Sequence, residues 1–217
     1  MKKLLLITLL FMSGITIAQN ANSESEKINI TKGTWSFGGS ASFGYADQEF
    51  ENFGNTFESN FLSFSIIPEI GYAVEENLIL GLGLGYSYRR SEDNDSNIDF
   101  SNDTFIIAPF IKRFFPINDN LLFTLKGEFR YTKANADNFS NGNNITTQGS
   151  NTYFVGIRPG ISFFISEKVA LEANFGSLGY ERTTSETNNN PSTFTINNFG
   201  FDFNSANLLF GFTYYMN

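Results

Sequence analysis

The stretch Leu121–Lys133, with the sequence LLFTLKGEFRYTK, decides the fold because its chemical character changes at every second residue. One face carries Phe123, Leu125, Gly127, Phe129 and Tyr131, and the other carries Thr124, Lys126, Glu128, Arg130 and Thr132. Successive side chains of a β-strand point to opposite faces, whereas a helix would scatter these charges around its apolar stripe. The stretch is therefore predicted to be a two-faced strand.

The same alternation recurs along the chain and predicts eight strands. In Leu78–Arg89, for example, Leu and Tyr residues alternate with Gly, Ser and Arg. Each predicted strand is long enough to cross a bilayer when tilted, which takes about 9–11 residues. The strands are Thr34–Tyr45, Asn60–Val74, Leu78–Arg89, Thr104–Phe115, Leu121–Lys133, Thr152–Ile165, Val169–Glu181 and Ala206–Met216.

The connections between these strands alternate in length. The long ones are Ala46–Ser59, Arg90–Asp103, Ala134–Asn151 and Arg182–Ser205, and the short ones are Glu75–Asn77, Pro116–Asn120 and Ser166–Lys168. Transmembrane barrels combine short turns at one end with longer loops at the other. The sequence thus predicts an all-β fold, an eight-stranded antiparallel up-and-down transmembrane β-barrel, with the polar long connections as solvated loops.

The N-terminal segment has the three parts of a secretory signal peptide. Lys2 and Lys3 precede an apolar run, which ends at the small residue Ala18. An N-terminal membrane anchor is the alternative, but the run is short for a spanning helix of about 20 residues. We expect a signal peptide at 1–18 that is cleaved after Ala18, a lead-in at 19–33, and the outer-membrane barrel domain at 34–217.

Composition narrows the chemistry that the chain can perform. It contains no Cys and no His, so disulfides, thiolate metal sites and a histidine base are excluded. Without the two signal lysines, 12 basic residues face 22 acidic ones, which gives a net charge of −10. So acidic an exported chain is a poor partner for nucleic acid. No cofactor is expected.

The pattern can describe either a soluble barrel with an apolar core or a membrane barrel with an apolar exterior. Tyrosines gather near the ends of the predicted strands, as in the aromatic girdles of a lipid-facing band. The expected girdle residues are Tyr72, Tyr86, Tyr88, Tyr131, Tyr153 and Tyr214. We therefore predict that bulky apolar side chains face lipid and that small or ionised ones fill the lumen.

The inward face carries charges of both signs, and we expect these to pair with each other. They are Glu69, Arg89, Lys112, Lys126, Glu128, Arg130, Arg158 and Glu172. Unpaired buried charges are costly, and an eight-stranded barrel has an interior just wide enough for side chains. The prediction is a plugged lumen, with a narrow gated channel as the alternative.

Four positions break the regular pattern. Pro109 and Pro159 lie inside strands, where a missing donor favours a bulge. The apolar alternation also shifts its phase after Gly176, which predicts another bulge there. Arg113 lies on the outward register near a turn, where a long side chain can reach the headgroups.

Three segments carry a resemblance to a known family. Pro68–Tyr72 followed by Asn77–Gly83, together with Pro109–Phe115, resembles the small outer-membrane β-barrel domain proteins of Bacteroidetes-type bacteria, which are OmpA/OmpX-like barrels. The closing strand resembles the signal that the barrel-assembly machinery recognises, although it ends Met216-Asn217 rather than on an aromatic residue. Its alternating residues are Leu208, Phe210, Phe212, Tyr214 and Met216. The resemblance covers the whole mature chain and implies architecture more than activity.

These observations favour a non-enzymatic, monomeric protein of the cell outer membrane with a structural or surface-interaction role. Its expected partners are outer-membrane lipid and lipopolysaccharide. A narrow channel for small solutes is the second hypothesis, and a membrane-embedded enzyme is the third. The acidic residues Asp47, Glu49, Glu51, Glu58 and Glu92–Asp103 are read as solubilising loops, with divalent-cation binding as the alternative.

Overall fold

The computed structural model describes residues 28–52, 55–93, 98–140, 143–187, 190–202 and 209–217. These residues form ten β-strands. They are β1 (Trp35–Asn52), β2 (Asn55–Glu75), β3 (Leu78–Asp93), β4 (Ile98–Pro116), β5 (Leu121–Ser140), β6 (Asn143–Ser166), β7 (Val169–Asn174), β8 (Ser177–Thr187), β9 (Asn190–Asp202) and β10 (Leu209–Met216). In these ranges no helix has the length and apolarity of a membrane span. The predicted signal peptide lies outside the described residues.

The ten strands close into an antiparallel barrel with eight strand positions around its circumference. We call each of these positions a stave. Strands β7 and β8 both pair with β6 and together form the seventh stave, and β9 and β10 supply the eighth. The first strand closes the ring against the last, because Trp35 lies opposite Met216 and Ser40 opposite Gly211. The predicted eight-stranded antiparallel barrel is therefore confirmed.

The long connections predicted as solvated loops are largely strand, so that prediction was wrong. Strands β1 and β2 stay paired from Trp35↔Tyr72 up to Asn52↔Asn55, and β5 and β6 stay paired up to Ser140↔Asn143. Backbone hydrogen bonding extends these hairpins although their side chains lose the apolar alternation on which the prediction relied. We call this the hairpin end of the barrel, and the opposite end, with the three short turns, the turn end.

The seventh stave changes register at the predicted position. Gly160 of β6 lies opposite Asn174, but Ile157 lies opposite Leu178, so β7 and β8 are offset by one residue. Gly176 takes up this offset with a φ of 132°, which favours glycine. The bulge predicted at Gly176 is confirmed.

The bulges predicted at the two prolines are not found. Around Pro109 the pairing of β4 with β5 is interrupted between Ile107↔Tyr131 and Phe110↔Glu128, yet the register is the same on both sides. Pro159 keeps its place opposite Leu125. A gap in one ladder is enough to accommodate a residue without an N–H donor, so no additional residue is needed.

The outward face is a continuous apolar band. Along β3, Leu80, Leu82 and Leu84 are 46%, 38% and 51% exposed. Arg113 is exposed near the turn end, and its Nη1 donates to the Glu76 carbonyl at 3.4 Å. In water so much exposed apolar area would be unfavourable, and the band therefore fits a lipid-facing wall.

Candidate functional site

The lumen is organised around one carboxylate, that of Glu128, whose side chain is fully buried. Lys126 Nζ lies 3.3 Å from its Oε2, and Arg158 Nε donates to its Oε1 at 3.2 Å. Arg130 Nε lies 2.9 Å from the same Oε1 without hydrogen-bond geometry, while its Nη2 donates to Oε2 at 3.3 Å. Alternation along β5 places Lys126, Glu128 and Arg130 on the same inward face.

A second carboxylate, Glu172, joins the charges to the turn end of the lumen. Its Oε2 accepts a hydrogen bond from Lys112 Nζ at 2.7 Å. Its Oε1 accepts hydrogen bonds from the Tyr215 hydroxyl at 3.0 Å and the Ser162 hydroxyl at 3.3 Å. Between the two centres, Lys126 Nζ also donates to Glu69. We call these seven residues the lumen lattice: Glu69, Lys112, Lys126, Glu128, Arg130, Arg158 and Glu172.

Aromatic rings inside the lumen stabilise the cations of the lattice. Lys126 Nζ lies 4.3 Å from the ring centroid of Phe110, and Arg158 Cζ lies 5.0 Å from that of Phe154. Glycine makes room for the first ring, since a Cβ at Gly81 would lie 2.3 Å from the Phe110 Cζ. Such cation–π contacts are strongest where water is excluded.

Below the lattice, at the turn end, an apolar layer fills the lumen. Phe114, Leu122 and Phe164 are 3% exposed or less. Tyr215 packs between the two aromatic rings, with centroid distances of 6.4 Å to Phe114 and 5.2 Å to Phe164. The prediction that only small or ionised residues fill the lumen was therefore wrong. Phe110, Phe114 and Lys112 share one parity on β4, and this signal was present in the sequence.

The segment before β1 covers this apolar layer. Ile30 is 4% exposed and belongs to the same buried cluster. Its N–H donates to the side-chain Oδ1 of Asn77 at 3.0 Å, and its carbonyl accepts from the Asn77 N–H at 2.8 Å. Asn77 adopts a φ of 58°, in the left-handed region that Asn tolerates in turns. The lead-in thus seals the turn end.

The structure brings together all but one of the predicted inward charges. Arg89 is exposed near the hairpin end, and its guanidinium lies 5.4 Å from the ring centroid of Phe61. Arg89 belongs to the inward set of alternating residues of β3, as predicted, but it lies too far along the strand to reach a carboxylate of the lattice. Without Arg89 the lattice has four cations and three carboxylates, an excess of one positive charge.

The six predicted girdle tyrosines lie on the outward face at two levels. Tyr72 and Tyr214 lie near the turn end, where Trp35 packs against Tyr72 at 5.0 Å. The other four lie toward the hairpin end, and Tyr131 packs against Tyr153 at 5.1 Å. Trp35 occupies the first outward position of β1 but was not among the predicted girdle residues.

Several acidic residues at the hairpin end have polar partners. Glu92 and Asp99 lie 2.7 and 3.4 Å from Arg90 Nη2, and Asp47 accepts the Tyr45 hydroxyl at 2.7 Å. The side chains of Glu51 and Glu58 lie outside the description. Among the described residues no three acidic side chains gather as a metal site would require.

The closing strand presents three of its predicted recognition residues outward. Phe212, Tyr214 and Met216 are 51%, 39% and 44% exposed. The side chains of Leu208 and Phe210 lie outside the described part of the chain.

Comparison with known proteins identifies a family for most of the chain. A family model described as "Outer membrane protein beta-barrel domain" matches residues 7–212. Among solved structures, Neisserial surface protein A (NspA) is similar at 16% identity and a TM-score of 0.40, with 84% of this chain and 97% of that chain covered. A major outer membrane protein from Thermus thermophilus is similar at 12% identity and a TM-score of 0.44, with coverage of 84% and 99%. No curated protein matches the sequence.

Proposed function

The chain belongs to the outer membrane protein beta-barrel domain family, and from this premise we propose that it is a closed, non-enzymatic barrel with a structural or surface-interaction role in the cell envelope. The turn end then faces the periplasm and the hairpin end faces outward. Lipid and lipopolysaccharide contact the apolar band, and the barrel acts as a monomer.

The observation that carries this proposal is the stacking of an apolar layer and a layer of paired charges in the lumen. The apolar side chains of Phe114, Leu122 and Phe164 are buried at the turn end, and the hydroxyl of Tyr215 in the same layer donates to Glu172 of the lattice. An ion entering from the hairpin end would have to separate paired charges and then pass an apolar layer. Both steps are unfavourable, which supports a structural plug.

The lumen chemistry also supports a non-enzymatic role. Ser162 is a buried hydroxyl that contacts a carboxylate, as a nucleophile would, but it is 0% exposed. Its partner Glu172 also accepts hydrogen bonds from Lys112 and Tyr215, so this carboxylate is held by donors other than the serine. An activated nucleophile requires a free base and access for substrate.

Planar-bilayer recording tests the closed lumen. We expect purified, reconstituted wild-type barrel to give no stable unitary steps at physiological salt. Steps in the wild type that change with Arg158→Gln, but not with the matched variant Arg89→Gln outside the lattice, would establish the narrow channel in place of the plug.

Two further elements of the proposal concern export and assembly. Cleavage after Ala18 predicts that N-terminal sequencing of the protein from outer membranes begins at Gln19; a mature protein that retains Met1 would contradict it. The outward residues Phe212 and Tyr214 are proposed as the contact with the barrel-assembly machinery. Replacing both with Ser should lower the amount of folded barrel in the membrane, and an unchanged amount would rule that contact out.

Deletion of the gene tests the envelope role. The mutant should become more sensitive to detergent or lose surface adhesion, and the wild-type gene should restore either property. If sensitivity and adhesion both stay at wild-type levels, the proposed role is wrong.

A further inference from the structure

A concave groove interrupts the apolar outer wall where the first and last staves meet. It has a volume of about 730 Å³, and we call it the lateral groove; it is lined mainly by Phe37, Gly39, Ala41, Ile66, Pro68 and Phe212. This volume lies within the range of about 300–1,000 Å³ that is typical of small-molecule sites.

The groove arises from the local backbone and from small side chains. Gly39 lies opposite Pro68 in the ladder between β1 and β2. The φ of Gly39 is 142°, and a Cβ there would lie 2.2 Å from the Ile67 carbonyl oxygen, so this position admits no side chain. Pro68 has no N–H, and the pairing of β2 with β3 is interrupted beside it, between Ile66↔Tyr86 and Glu69↔Gly83. The wall therefore carries no bulky side chain at Gly39, and large side chains flank this position.

The depth of the groove determines what can occupy it. Along β1 the groove extends from Phe37 to Ala41, with Trp35 toward the turn end and Tyr45 toward the hairpin end. It thus lies between the two aromatic levels, at the depth of the hydrocarbon. An occupant at this depth must be apolar.

We propose that the lateral groove binds one acyl chain of a bilayer lipid as a defined site. The groove is continuous with the apolar band, so a lipid reaches it without leaving the bilayer. A second barrel would present a convex, stiff wall, which cannot enter a narrow depression, whereas a flexible chain can. A seated chain gains dispersion contacts that an empty depression forfeits.

The position of the groove relative to the lumen gives the bound chain a consequence. A small inner cavity of about 40 Å³, lined by residues of the lumen lattice, shares Gly39, Ser40, Glu69 and Gly211 with the groove. A single layer of backbone separates the two. An acyl chain in the groove therefore covers a glycine-containing part of the wall beside the lattice. This inference does not depend on whether the lumen conducts.

Native mass spectrometry after reconstitution into phosphatidylcholine vesicles and transfer to detergent tests the site. Wild type should retain one phospholipid per barrel under conditions that remove the micelle. Ala41→Leu fills the groove from the outward register and should abolish this retention. Ala173→Leu makes the same change on an outward position outside the groove and should retain the lipid like wild type.

A second measurement uses Trp35, the only tryptophan of the chain, whose ring centroid lies 6.3 Å from that of the groove residue Phe37. After exposure to phosphatidylcholine brominated on its acyl chain and extraction into bromine-free detergent, wild type should keep quenched fluorescence and Ala41→Leu should recover it. If Ala41→Leu fails to fold, Ile66→Phe fills the groove from the neighbouring strand β2. Equal lipid retention or quenching in filled and wild-type grooves, no retained lipid in wild type, or a dimer through this face would overturn the proposal.

Discussion

Replacing Glu128 with Gln should destabilise the barrel more than any other conservative change in the lattice. The substitution keeps the size of the side chain but removes the charge that Lys126, Arg130 and Arg158 share. The glutamate side chain is 0% exposed, so water cannot replace it for the three cations. Removing one partner of a buried ion pair costs about 3–5 kcal/mol. We expect the free energy of unfolding to fall by an amount in this range.

Guanidinium unfolding in detergent micelles, followed by tyrosine and tryptophan fluorescence, measures this loss. With a slope of about 3–4 kcal/mol per molar, the midpoint should move down by about 1 M. Glu167→Gln is the matched control, because Glu167 is an exposed turn residue and its replacement should stay within about 0.5 kcal/mol of wild type. The double variant Glu128→Gln/Arg158→Gln should lose less than the sum of the two single losses. A midpoint for Glu128→Gln equal to that of the control would refute the central role of Glu128 in the lattice.

Three smaller predictions concern the layers around the lattice. Phe114→Ala should cost about 3–5 kcal/mol in the same unfolding assay, because the ring is fully buried; a loss below about 1 kcal/mol would contradict its packing. Asn77→Gly keeps the turn but leaves the Ile30 N–H without its acceptor, at a cost of about 1–3 kcal/mol, and an unchanged melting temperature would show that this contact is dispensable. Arg89→Gln should change stability by less than about 1 kcal/mol, since Arg89 is exposed and its guanidinium packs over the ring of Phe61; a larger loss would show that Arg89 takes part in the lumen lattice.

The period of two in the sequence was sufficient to predict the barrel. A strand such as Leu121–Lys133 has to bury one face and expose the other, so its alternation fixes which side chains point inward. This is why Glu69, Lys112, Glu128 and Glu172 could be assigned to the lumen before the structure. The phase change after Gly176 was visible for the same reason, because one additional residue reverses the two faces.

The features that were not predicted depend on position along the barrel axis, which the alternation of residue types does not encode. Arg89 has the correct parity but lies at the height of the hairpin end, whereas Phe114 has the same inward parity at the height of the turn end. Chemical type therefore changes with depth inside the lumen, and pairing registers between strands set that depth. The long hairpins were missed because beyond the membrane neither face needs to be apolar, so the pattern fades while the hydrogen bonds continue.

In the proposed orientation, with the hairpin end facing outward, the length of β5 has a consequence for anything that approaches the cell from outside. This strand extends past Tyr131 through 132–140. At about 3.3 Å per residue and a tilt of about 40°, that segment rises about 23 Å beyond the outer tyrosines. The hairpin tips therefore project well beyond the lipid headgroups. A molecule lying flat on the lipid meets only their bases, and one held on long surface sugars meets the tips first.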